Sequence, residues 1–240
     1  MPALAEADDG RRYVVKLRGA GQGALALVAE IVTGELARVL GLRVPRLALV
    51  ELDPAFAKNE PDAEIQDLFR ASSGLNVGLE FLPGATTFDG AAGDRMDAAE
   101  AALIVWLDAF TMNVDRSPRN PNLLQWHGET WLIDHGASMY FHHNWATAAG
   151  KVQSPFTQIR DHVLLPFAGG AQTSAAALAK ERITPRVLAE TLALVPEAWL
   201  VAPGDDASPA ERRAAYLEFL GDRLTAAHVF EEEIARACAV

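Results

Sequence analysis

Cysteine is nearly absent from this 240-residue chain. Cys238 stands alone, so no internal disulfide can form. That suits a reducing compartment, and a cytoplasmic location is the expectation. Positive charge is in deficit: 21 Lys and Arg face 32 Asp and Glu, a formal net charge of −11. A chain of that sign is repelled by nucleic acid and by anionic membrane, so neither is an expected partner. Long apolar runs are missing, and none approaches the ~18 residues of a membrane span. The opening MPALAEADDG has no basic stretch followed by an apolar one, so no secretory signal is expected. Internal repeats and low-complexity tracts are lacking too. The balance of 50% hydrophobic and 22% charged residues describes a globular protein, long enough to bury a core without staples.

Local patterns divide the chain near Pro83-Gly84. Ala3 to Ala7 and Arg12 to Leu17 read as two strands joined by the turn signal Asp8-Asp9-Gly10. A loop with Gly19, Gly21 and Gly23 leads into a helix over 24–40, where Leu25, Val28, Val32, Leu36 and Val39 form one apolar stripe. Gly41 stops it and Pro45 follows. Leu47 to Leu52 and Leu75 to Leu82 read as strands, with a short helix around 63–71 between them. Beyond Pro83 the pattern turns helical. Asp97 and Glu100 have the spacing of an acidic capping box at the head of an apolar helix. The stretch NVDRSPRNPNLL excludes a regular element, and Thr130 to Asp134 is a short strand. Residues 141–170 are irregular. Helices are expected around 172–182, 184–195 and 209–236. The fold class is α+β, strands plus one helix followed by mostly helices.

Three stretches carry chemistry. Asp115 is followed five residues later by Asn120, the spacing of kinase catalytic loops. There the Asp orients the acceptor hydroxyl and the Asn amide oxygen holds magnesium. Leu132-Ile133-Asp134-His135-Gly136 places an Asp at a strand end, where a carboxylate can hold a metal between phosphates. Lys16 lies on a strand, with Glu30 and Glu35 on the following helix as carboxylates to hold it. On the helical wheel Glu35 lies nearer the apolar stripe than Glu30. Each signal alone also fits a bland alternative: a solvated loop, a strand-end turn, an amphipathic lysine. Together they stand in the one order a kinase requires.

The chain resembles the HipA-like kinases, whose motifs are related to those of phosphatidylinositol 3- and 4-kinases. The resemblance rests on YVVKLRGAGQG, ALVAEIVTGELARVLGLRVP, NVDRSPRNPNLL and WLIDHG, and spans roughly residues 11 to 165. It implies a two-lobed protein-kinase-like fold, with a small β-rich N-lobe over 1–83 and a helical C-lobe over 84–240. It implies ATP and Mg²⁺ as cofactors and phosphoryl transfer from ATP to a hydroxyl. The acceptor would be a protein Ser or Thr, although a small-molecule alcohol fits the residues equally. Lys16 would bind nucleotide phosphates with Glu30, which the resemblance prefers over Glu35, as its partner. Asp115 would be catalytic, and Asn120 and Asp134 would be metal ligands. Glu80-Phe81-Leu82 would be the hinge, with Glu80 and Leu82 meeting adenine through backbone groups.

One departure stands out. Only 15 residues precede Lys16, enough for one strand and a turn, so a shortened N-lobe is expected. A helix N-terminus after Gly19–Gly23 is an alternative phosphate site. That departure supports a rival reading, a pseudokinase acting as a nucleotide-binding or regulatory module; the complete Lys16, Asp115, Asn120 and Asp134 set opposes it. Arg116 and Arg119 are expected either beside the γ-phosphate or acidic substrate, or as solvated loop residues. With Lys16 they would make a local basic cleft. His142, His143 and His162 have no Cys or acidic partner at zinc-ligand spacing and are expected to pack or to contact substrate.

Overall fold

The structure is a computed structural model that describes residues 2–58, 60–93, 95–201 and 206–239. Two antiparallel strands, β1 (Pro2–Glu6) and β2 (Arg12–Lys16), open the chain. Helix α1 (Ala24–Leu40) follows, then β3 (Leu47–Leu52), the short α2 (Ala55–Lys58), α3 (Ala63–Ala71) and β4 (Gly74–Glu80). The strands form one antiparallel sheet in the order β1-β2-β4-β3. Register pairs Lys16 with Val77 and Tyr13 with Glu80. One strand thus stands ahead of the Lys16 strand, as the short N-terminal segment led us to expect. β4 ends at Glu80, two residues before the expected Leu82, where its pairing with β2 and β3 runs out at Tyr13 and Leu47.

The rest is mainly helical. β5 (Thr86–Thr87), β6 (Leu123–Trp126) and β7 (Glu129–Leu132) form a small second sheet, and α4 (Ala98–Thr111) lies between β5 and β6 in the chain. Residues 140–167 are short 3₁₀ turns and a single-turn helix, α5 (Trp145–Ala148). α6 (Gln172–Arg182), α7 (Pro185–Ala193), α8 (Pro209–Thr225) and α9 (Ala227–Cys238) close the chain. The helix expected over 209–236 is therefore two, breaking at Ala226. No Gly or Pro marks that break, so the sequence carries no local signal for it.

One hydrophobic core joins both parts. Leu36, Ala37 and Leu40 of α1 share it with Val77 and Leu79 of β4, with Trp106 and Phe110 of α4, and with Leu188 of α7. The end of α1 is pinned to the helical part: Arg182 Nη1 donates to the Leu40 carbonyl at 2.6 Å, and Gly41 takes φ 86° to turn the chain. Arg43 bridges Glu100 of α4, at 2.9 Å, and Glu129 of β7. Asp97 caps α4, accepting from the amides of Ala99 and Glu100. The Glu100 side chain is drawn to Arg43 instead of closing a capping box.

The Asp115 loop begins at the far end of α4, whose last carbonyls lie where water cannot reach them. Arg223 of α8 serves them, donating to Phe110 at 2.8 Å and Ala109 at 2.6 Å, and also to Val152 and Ser154. Burial lowers the Arg223 pKa to about 10, which still leaves it charged at neutral pH.

Candidate active site

Three elements converge under the first sheet. β2 presents Lys16, α1 presents Glu30, and the turn after β7 presents Asp134. Lys16 Nζ lies 2.8 Å from Glu30 Oε2 and also contacts Asp134 Oδ1. Glu35, preferred by the wheel, instead pairs with Arg38 at 3.2 Å. The wheel misleads because α1 is buried nearly all round: residues 27–34 are all buried, so the apolar stripe does not mark the face toward β2. Gly34 lets α1 pass close to the Asp134 turn, since a Cβ there would lie 3.0 Å from Leu47 and 3.6 Å from His135.

Glu30 is fully buried and Lys16 mostly so. Burial works against the charge on Lys16, but Glu30 and Asp134 outweigh it and hold the amine above its ordinary pKa. Burial raises the Glu30 carboxyl, with Lys16 pulling the other way. The amine therefore stays charged throughout the neutral range. Asp134 takes φ 55°, an unusual conformation for a non-glycine residue, which the tight strand-to-loop turn imposes.

Lys16, Asp115 and Asp134 line one cavity of about 260 Å³, together with Gly21, Gln22 and Gly23 before α1. The amides opening α1 have no side-chain cap there. Asn120 does not line the cavity, but its Nδ2 donates to Asp115 Oδ2 at 2.7 Å. Glu80 and Leu82 do not line it either. Glu80 lies three residues along the sheet from the Lys16–Val77 pair, ~10 Å away at strand rise. The amides of Glu80 and Phe81 already bond to the carbonyls of Arg46 and Arg12.

Several expectations change here. Arg116 is neither beside the cavity nor solvated. It is buried, its Nε 2.5 Å from Asp108 Oδ2, because an arginine turned inward at this loop finds a buried carboxylate on α4. Arg119 is exposed. The expected basic cleft is therefore absent: one amine, Lys16, stands against the carboxylates of Glu30, Asp134 and Asp115. His142 packs in the core against Tyr216, with the Tyr216 hydroxyl 2.9 Å from Nδ1, and His162 meets Asp108. Among the described residues no three His, Cys, Asp or Glu side chains cluster as a metal site. Sequence reading overlooked Asn122, whose Nδ2 donates to the Asp115 carbonyl at 2.9 Å and whose φ of 49° turns the loop. Its place two residues after Asn120, behind Pro121, was the available signal.

The small antiparallel sheet, the Lys–Glu pair and the acidic cavity between sheet and helices define a kinase-like protein of mixed α+β fold. A profile of the family described as HipA-like kinase matches residues 1–232, and the chain belongs to that family. A solved structure described as the crystal structure of a Helicobacter pylori proinflammatory kinase, CtkA, shares the fold with a TM-score of 0.60. It is 12% identical over 98% of this chain and 94% of that one. No curated protein matches in sequence. No helix among the described residues is long and apolar enough to cross a membrane.

Proposed function

We propose that the chain is an ATP-dependent phosphotransferase that moves the γ-phosphoryl group to the hydroxyl of a protein Ser or Thr. The observation that carries this reading is the convergence of Lys16, Asp115 and Asp134 on one cavity, with Glu30 behind Lys16. The donor set tests the fit of magnesium. With the Asp115 and Asp134 carboxylates against one amine that Glu30 already pairs, the cavity repels a bare triphosphate, so a nucleotide entering it must bring cations. Carboxylate and amide oxygens are the hard ligands that magnesium prefers. Asp134 and the Asn120 amide oxygen would hold such an ion, whose chemistry there is to spread charge over the phosphoryl oxygens.

The chain's own residues supply the rest. Lys16 orients the phosphates, and Glu30 keeps its amine charged and fixed in place. The amides that open α1, which have no side-chain cap, lie where phosphate oxygens would end. Backbone groups of Glu80 to Leu82 other than the Glu80 and Phe81 amides, which already bond to Arg46 and Arg12, meet adenine. Asp115, steadied by Asn120 and Asn122, orients the acceptor hydroxyl and takes its proton. The hydroxyl oxygen forms the new bond to phosphorus as the β–γ bridging oxygen leaves with ADP.

Magnesium with ATP at a hundred times its Kd should stabilise the folded chain by ~2.7 kcal/mol, a Tm rise of about 5–10 °C. Asp134→Ala should abolish the rise. Label from γ-labelled ATP should transfer to protein Ser or Thr, and Asp115→Asn should cut that transfer at least a hundredfold. No thermal shift in the wild type refutes nucleotide binding. Binding without turnover across protein and small-molecule acceptors would make the chain a pseudokinase.

A further inference from the structure

Behind the cavity lies a buried polar cluster that the proposed chemistry does not use. Asp108, on α4, has no exposed surface, yet three groups bond to it. Arg116 Nε approaches Oδ2 at 2.5 Å, His162 Nε2 approaches the same oxygen at 2.8 Å, and Asn113 Nδ2 donates to Oδ1 at 3.0 Å.

Each partner leads toward the cavity. Asn113 Oδ1 accepts from the Asp115 amide at 3.1 Å. Arg116 Nη1 donates to the Asn122 carbonyl at 2.5 Å, and Asn122 in turn donates to the Asp115 carbonyl. That same Asn122 carbonyl accepts the Ile133 amide, one residue before Asp134. Arg116 Nη2 lies 3.4 Å from His135 Nδ1, one residue after it. Both cavity aspartates thus hang from the Asp108–Arg116 pair.

His162 brings in a different part of the chain. It stands near the end of the irregular segment that starts after Asp134. Its Nδ1 accepts from the Leu164 amide at 3.0 Å, so that nitrogen is unprotonated and the proton is on Nε2, donated to Asp108. Burial lowers its pKa, more than Asp108 raises it, which agrees with a neutral ring. The next residue, Val163, donates its amide to the Arg116 carbonyl at 3.2 Å. The far end of the segment is therefore bonded to both members of the pair that carries the loop.

We propose that Asp108 and His162 are positioning residues, a brace through which residues 162–164 hold the Asp115 loop in place. This rests on the phosphotransfer reading for its effect on turnover, but the brace itself is a property of the fold. Because Asp108 is sealed from water, removing a donor leaves a carboxylate oxygen short of a bond that solvent cannot replace. The loop then shifts to recover one.

His162→Leu removes both ring nitrogens at little change in volume. His162→Gln restores one donor and one acceptor. Hydrogen exchange over 113–122, measured without nucleotide, should speed up at least tenfold in His162→Leu and return to within threefold of wild type in His162→Gln. Turnover should fall about tenfold to hundredfold in His162→Leu, with the KM for ATP within threefold and recovery in His162→Gln. If both variants exchange like the wild type, or both lose protection equally, the brace is refuted. The exchange result decides it even if the wild-type chain shows no turnover, an outcome that would refute only the phosphotransfer reading.

Discussion

Replacing Lys16 with Met removes the sole countercharge, among the described residues, at bonding distance from Glu30, a carboxylate with no exposed surface. Breaking a buried pair from one side costs ~3–5 kcal/mol. The Lys16 side chain keeps 18% exposure, so water offsets part of the loss and ~3 kcal/mol is the expected figure. For a chain of this size that lowers Tm by about 6–12 °C at pH 8. The pH dependence follows from the Glu30 carboxyl, which burial already raises and which Lys16, with a smaller contribution from the His135 backbone amide, pulls back. A carboxyl whose pKa is higher folded than unfolded costs stability while both states are ionised, and the cost fades as pH falls and the folded group takes a proton. The Lys16→Met deficit should therefore shrink steadily from pH 8 to pH 5. Lys16→Met/Glu30→Leu should recover most of it at every pH, because an apolar pair needs no countercharge. Urea denaturation across that range measures all three. A Lys16→Met chain within ~0.5 kcal/mol of wild type at pH 8, or a deficit that grows on acidification, would refute the reasoning.

Three further substitutions probe the frame. Arg223→Met keeps the length of the side chain but strips the α4 carbonyls of their donors; a loss above ~3 kcal/mol by chemical denaturation is expected. Ser208→Ala breaks the capping box in which Ser208 and Glu211 bond reciprocally at the head of α8, and should cost ~1 kcal/mol while nucleotide binding stays unchanged. Gly78→Val puts a Cβ 2.7 Å from Val50 Cγ2 and 3.1 Å from Tyr13 Cβ, so it should lower Tm through ~1–3 kcal/mol of overpacking.

Much of this molecule was legible from local pattern. The span of α1 follows from its apolar spacing and Gly41, and the short helix expected around 63–71 is α3, which Asp62 caps. Asp97 announces α4 in the same way. Elsewhere local pattern failed for identifiable reasons. A helix buried on nearly every side, such as α1, hides which face meets β2, so periodicity favoured Glu35 while Glu30 makes the contact. The break between α8 and α9 has no residue to mark it. Arg116 was expected beside phosphate or acidic substrate, or in solvent, because its partner, Asp108, sits inside an apolar helix eight residues earlier.

By itself, the sequence determined most of the elements and their order, the Asp115–Asn120 and Leu132–Gly136 spacings, and an overall acidic charge. Those depend on residues close together along the chain, where spacing translates directly into geometry. Only the tertiary structure decided which carboxylate Lys16 meets, that the cavity has more acid than base, and that Arg116 is sealed inside while Arg119 faces solvent. It also decided that Asp108 and His162, 54 residues apart, share one hydrogen bond. Those outcomes depend on how elements pack across long loops, and a side chain's charge becomes a contact only when packing brings its partner within reach and keeps water out.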